Sequence, residues 1–144
     1  MNPDQALLRA WSGPVSGRDC SPIAALFDLF VVDVDRVQGH ATMRFTVPPA
    51  MRRDDGSPNL QATAAMLDCA LGFAALATLE PPETVVTATL RIELVEVVPS
   101  SVFEARGVLV ARNATTMFGR ATLHDADGRL VALGSTTLRI VAAR

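Results

Sequence analysis

The chain has 144 residues, of which 49% are hydrophobic, 19% charged and 5% aromatic, with a formal net charge of −2. That length suits one domain, the apolar fraction is ample for a packed core, and the acidic balance gives no general basic field for nucleic acid. All Lys or Arg positions are arginine; without lysine there is no Schiff base, no covalent pyridoxal phosphate and no P-loop lysine.

Asn2-Pro3-Asp4-Gln5 supplies a cap, a proline at the first helical position and Gln at the third, which predicts a short helix to about Trp11. Its first residues lack the basic start, apolar core and small-residue cleavage site of a signal peptide, so the expectation is a cytoplasmic protein. Ser12 to Asp19 reads as a loop, and Ser21-Pro22 starts a brief helical turn through Leu26. From Phe30 to Val47 the period changes to that of two strands meeting around Arg36 to Gly39, closed by Pro48-Pro49.

A polar stretch, Arg52 to Pro58, leads into a second helix with Ser57 or Asn59 as its cap. The run Ala62 to Leu79 is apolar on nearly all faces and is interrupted by one carboxylate, Asp68. Such a helix either spans a membrane or is the central helix of a fold that wraps it. Asp68 near the midpoint, the absence of a Trp or Tyr belt and the amphipathic strands that follow predict the wrapped helix, with no membrane contact. A charge placed there needs a purpose or a partner. Asp68 is therefore a candidate functional residue, or else a polar residue that bonds a strand Thr and fixes the rotation of the helix.

Pro81-Pro82 ends that helix. From Val85 the chain alternates, with Val86, Ala88, Leu90, Ile92 and Leu94 on one predicted dry face and Thr87, Thr89, Arg91 and Glu93 on the other. Turns at Pro99 to Ser101, Asn113-Ala114 and Asp127-Gly128 then separate strands Val102 to Arg112, Thr115 to His124 and Leu130 to Val141. The expectation is a four-stranded meander of consecutive antiparallel strands, in an α+β fold whose curved sheet wraps one long helix.

Cys20 lies in a polar loop and Cys69 in the apolar helix, without metal-site or redox-pair spacing, so both are read as structural thiols. His40 and His124, each near a hairpin turn, are read as surface residues, and no metal site is expected.

The order helix, two strands, long apolar helix and four strands, together with Gly56-Ser-Pro-Asn59-Leu60-Gln61 ahead of Leu67-Asp68 and the closing Asp127 to Ala132, resembles hotdog-fold acyl-CoA thioesterases of the phenylacetate-degradation type. The likeness runs from about Ser21 to Ile140, within a single domain over 1–144 in which 1–20 form an N-terminal helix and loop. In that family a loop glycine followed by histidine-glycine-glycine opens the central helix, and an acidic residue nine positions after the histidine carries the chemistry; Gly56 and Asp68 fall on these positions. The family's histidine-glycine-glycine is replaced here by Asn59-Leu60-Gln61, and the asparagine before the loop glycine by Arg53. A Ser or Thr on the following strand assists in some members, which points to Thr89, with Thr87 as the alternative on the same predicted face.

The resemblance implies hydrolysis of an acyl-CoA, in which coenzyme A is part of the substrate and no resident cofactor is used. It also implies a homodimer, or a homotetramer of two dimers, whose long strands Val85 to Val98 pair across the interface. Leu60 and Asp68, eight residues apart on one helix, are separated by about 12 Å, so a site using both would combine the helix start of one subunit with Asp68 of the other. Asn59, Leu60 and Gln61 would border the thioester oxygen, although Asn59 also suits an ordinary cap and Gln61 would either donate its amide or occlude the pocket. Arg52 and Arg53 before the helix, and Arg112 and Arg120 about the Asn113-Ala114 turn, are candidates for the coenzyme A phosphates, Arg53 and Arg112 foremost. The alternative function is a non-catalytic hotdog homo-oligomer that binds an acyl-CoA or another apolar ligand.

Overall fold

Helix α1 (Pro3–Ala10) begins where its cap and proline place it, with the Asn2 side chain accepting from the Gln5 backbone N–H at 2.7 Å. The computed structural model describes residues 1–142, and the last two residues of the expected domain lie outside the described residues. Gln5 does not bond back to its own cap. Its buried amide donates to the carbonyls of Glu83 at 3.1 Å and Leu79 at 3.4 Å, which ties α1 to the segment that follows the central helix. The following loop contains a strand that its composition did not reveal, β1 (Val15–Ser16), and then α2 (Pro22–Leu26), capped by Ser21. Two residues carry no readable period.

Strands β2 (Phe30–Asp35) and β3 (His40–Thr46) form the predicted hairpin. Pro49–Met51 makes one turn of 3-10 helix, and the chain enters the central helix α3 (Leu60–Leu76). Of the two candidate caps it is Asn59 that accepts from the Ala62 N–H, at 2.8 Å, while buried Ser57 donates its hydroxyl to Asp55. Gly56 holds φ at +84°, a turn conformation that side chains with a Cβ resist. No helix among the described residues is long and apolar enough to cross a membrane.

Strands β4 (Glu83–Leu94), β5 (Val102–Arg112), β6 (Thr116–Asp125) and β7 (Leu130–Ala142) complete the sheet. Among the described residues the antiparallel order is β1-β2-β3-β5-β6-β7-β4. This corrects the four-stranded meander. Of the last four strands only β5, β6 and β7 are consecutive neighbours; β4 pairs with β7 at the far edge, and β3 takes β5 as its partner. Alternation identifies a strand and its faces, but not its neighbour. Here α3 carries the chain across the sheet before β4, and residues 95–101 carry it back to β3.

A second correction concerns the dry face of β4. A bulge between Thr87 and Thr89 leaves Ala88 without a partner in the β7 register, and the extra residue exchanges the faces. Val85 packs on the core before the bulge, and Leu90 and Ile92 pack on it afterwards, whereas Val86 is half exposed. Thr87 therefore points toward α3.

The concave face closes on α3 through Met43, Phe45, Phe103, Ala105 and Leu123, with Met66, Leu67 and Leu71 facing them from the helix. Contact is closest at Gly107, where a Cβ would lie 2.5 Å from the Ala70 carbonyl oxygen. The wrapping is incomplete. Gln61 is exposed, and Ala64, Ala65, Asp68, Cys69 and Gly72 on the same helical stripe are only partly covered.

Candidate active site

The half-open stripe of α3 runs beside β4, and Asp68 and Thr87 meet at this seam. The Thr87 hydroxyl donates to the Asp68 carboxylate, Oγ1 to Oδ1, at 2.7 Å. Asp68 is thus neither fully buried nor left without a partner: one oxygen is held, and the seam leaves the carboxylate partly accessible. Thr89 lies on the opposite face of the sheet. It is paired in register with Thr137, and its own carbonyl accepts from the Thr136 hydroxyl at 2.7 Å. Within one chain the structure brings together Asp68 and Thr87, not Asp68 and Thr89. The missed signal is the bulge, since one extra residue reverses which threonine faces the helix.

Asn59 acts as the cap, and α3 opens with Leu60, 66% exposed, followed by exposed Gln61. The cap occupies the Ala62 N–H, while the N–H groups of Leu60 and Gln61 precede the first helical bonds. These two donors sit about 12 Å along the helix from Asp68, too far to act on the same carbonyl group within one chain.

Arg52 is committed to the fold, donating to the Val47 carbonyl from Nε at 3.0 Å and from its terminal nitrogen at 2.7 Å. Arg53 is exposed at the α3 entrance, and its side chain has no ion-pair partner among the described residues. Arg112 lies elsewhere. It ends β5, whose first residue pairs with Thr46 near the α3 entrance, and its eleven-residue span is about 35 Å long. One chain therefore cannot bring Arg53 and Arg112 onto one phosphate group.

Between the start of α3 and the end of β4 lies an apolar groove lined by Leu60, Thr63, Ile92, Leu94, Val98 and Val131, with Arg53 and Glu96 at its borders. Its outer wall comes partly from residues 96–98, where strand periodicity predicted only a connection. Among the described residues no cluster of His, Cys, Asp and Glu is arranged to hold a metal ion. His124, expected on the surface, is half-buried with its Nδ1 enclosed. Burial and the nearby Arg106 hold it below the ordinary histidine range, against the opposing charges of Glu104 and Asp125.

The thiols match a structural reading. Burial, with the nearby charges of Asp4 and Asp19, pushes Cys20 up to about 11, and burial beside Asp68 pushes Cys69 up to about 12. At pH 8 about one Cys20 thiol in a thousand is then ionised. Labelling by a disulfide reagent at pH 8 is expected to be at least about a hundredfold slower in the native protein than in denaturant, where the pKa returns to its ordinary value. Rapid native labelling of either cysteine contradicts this assignment.

No protein-family model matches the chain, and no curated protein matches it. Solved structures do. A putative thioesterase from Ralstonia eutropha, a phenylacetic acid degradation-related protein, superposes with a TM-score of 0.81 over 96% of this chain and 99% of that one, at 22% identity. A thioesterase family protein from Silicibacter pomeroyi gives a TM-score of 0.78 over 85% and 91% of the two chains, at 21% identity. A Bacillus halodurans protein solved with CoA gives 0.66 over 69% and 66%, at 20% identity. With its curved antiparallel sheet closed around one central helix, the chain has the hotdog fold of the Ralstonia eutropha and Silicibacter pomeroyi structures.

Proposed function

We propose that the chain is an acyl-CoA thioesterase in which Asp68 acts as general base or nucleophile at an interface between two copies. The observation that carries this reading is the Thr87–Asp68 hydrogen bond on the half-open side of an otherwise apolar helix. As a base, Asp68 takes a proton from water while the water oxygen attacks the thioester carbon; the carbon–sulfur bond then breaks, the proton passes from Asp68 to the sulfur, and coenzyme A leaves as its thiol with the carboxylic acid as the other product. Thr87 positions the carboxylate.

The unpaired edge of β4 supports the second copy. It is twelve residues long, and Val86, Leu94, Val95 and Val97 along or just beyond it are about half exposed. In the proposed dimer two such edges pair antiparallel and the α3 entrance of one copy faces Asp68 of the other, so that the N–H groups of Leu60 and Gln61 would receive the charge developing on the thioester oxygen. A tetramer of two such dimers is compatible with the same pairing. Coenzyme A enters as part of the substrate, with Arg53 of one copy and Arg112 of another as candidate phosphate partners; the CoA bound to the Bacillus halodurans neighbour supports this ligand class. No resident cofactor is invoked, and the proposed location is the cytoplasm.

One observation favours the non-catalytic alternative. Leu60 places a 66% exposed side chain at the first position of α3, in the space through which a thioester oxygen would approach. Thiol release from a panel of acyl-CoAs decides between the readings. Turnover by the unchanged protein that is lost in Asp68→Asn supports the enzyme. If the unchanged protein only binds, the double variant Leu60→Gly, Gln61→Gly is expected to gain hydrolysis at a cost of about 1–2 kcal/mol in stability, from two glycines in the first helical turn.

A further inference from the structure

We infer that the outer face of the sheet carries a phosphoryl-binding site, built on Arg120, Ser135 and Arg91 in one cross-strand row and completed by Arg106. The site lies on the side of the sheet away from α3 and does not depend on the thioesterase reading. Ser135 of β7 is directly opposite Arg120 of β6 on one side and Arg91 of β4 on the other. Directly opposed residues of an antiparallel pair share a face, so the two arginines flank the exposed Ser135 hydroxyl, between buried Gly134 and Thr136. Strands about 4.8 Å apart set the two arginines about 10 Å from each other, a gap that two long side chains close over the hydroxyl. Arg106 on β5 is the diagonal neighbour of Arg120, about 7–8 Å away.

Two shallow depressions meet at Arg120, one bordered by Arg91, Thr122 and Ser135 and the other by Thr42 and Arg106. The one carboxylate bordering either of them, Glu93, is taken by Arg91 at 3.1 Å. Glu104 likewise holds Arg106, at 2.9 Å. Arg120 has no ion-pair partner among the described residues. Three guanidiniums on neighbouring strands therefore share two counter-ions, and like charges at this spacing are destabilising until an anion joins them. The donors fit a phosphoryl group: its terminal oxygens can accept from Arg120, Arg91 and the Ser135 hydroxyl together, whereas a carboxylate has two oxygens for three donor groups.

The test titrates the full-length chain with inorganic phosphate at fixed ionic strength, balanced with chloride, and reads Tm and the heat of binding. The expected result is a saturable response whose Kd rises by about ten- to a hundredfold in Arg120→Gln and in Arg91→Gln, as loss of a hydrogen bond to a charged group predicts. Arg139→Gln, on the same face but outside the row, is expected to leave Kd within about twofold. Competition with coenzyme A identifies the source of the phosphoryl group. Displacement of phosphate assigns it to the carrier of the proposed substrate, joint binding assigns it to a separate phosphorylated ligand, and either supports the site. A response that does not saturate, or one that Arg120→Gln retains unchanged, means an adventitious ion only and overturns the assignment.

Discussion

Asp68→Asn is expected to lower kcat for thioester hydrolysis by about two to four orders of magnitude, the range set by loss of a positioned general base. The substitution preserves size, and the asparagine oxygen can still accept from Thr87, so unfolding midpoints of the two proteins should agree within a few degrees. The partner residue gives the complementary test. Thr87→Val removes the 2.7 Å hydrogen bond to the carboxylate without shortening the side chain. Loss of a hydrogen bond to a charged group amounts to roughly 1.5–3 kcal/mol, so kcat should fall by about ten- to a hundredfold with KM little changed. Thr89→Val, on the opposite sheet face, should leave kcat unaltered. If Thr89→Val proves the more damaging, the face assignment imposed by the bulge is wrong; if Asp68→Asn retains full turnover, Asp68 is only a structural polar residue.

The largest effect on stability is expected at Gly107. In Gly107→Ala the new methyl would sit 2.5 Å from the Ala70 carbonyl oxygen and 2.7 Å from its carbon, and both are backbone atoms of α3 that cannot rotate away. Helix and sheet must separate locally, at a cost of about 3 kcal/mol, in the upper part of the range for overpacked cores. For a chain of this size that lowers Tm by about 10 °C. The same substitution at Gly72 should act in the opposite direction. Nothing lies within 4 Å of a Cβ there, the residue is inside α3, and alanine is worth about 1 kcal/mol over glycine in a helix interior. Differential scanning calorimetry of the two variants checks both signs, and equal shifts would show that Gly107 is not the point of closest approach.

Local chemistry made much of this fold legible. Asn2-Pro3 and Ser21-Pro22 announce helix starts through caps that act over three residues, and the third start was legible only as Ser57 or Asn59, of which Asn59 is the cap. The alternating stretches became strands, and the apolar run around Asp68 became the central helix, because periodicity and burial are carried by neighbours along the chain. The Asp68 anomaly was visible for the same reason: one charge among apolar residues stands out without any knowledge of what surrounds it.

What depended on distant residues was not legible. The pairing of β4 with β7 follows from the path of α3 across the sheet, and hydrophobic alternation is identical whichever strand lies alongside. Thr87 rather than Thr89 reaches Asp68 because of a bulge, and a bulge inserts a residue without changing composition. Arg52 and Arg53 are adjacent and chemically alike, yet one is spent on the Val47 carbonyl and the other faces the groove. The sequence by itself determined the longer helices and strands, the central helix and its single carboxylate; the tertiary structure decided the two-residue strand β1 and which side chains share a face, since these are settled by packing between segments far apart in the chain.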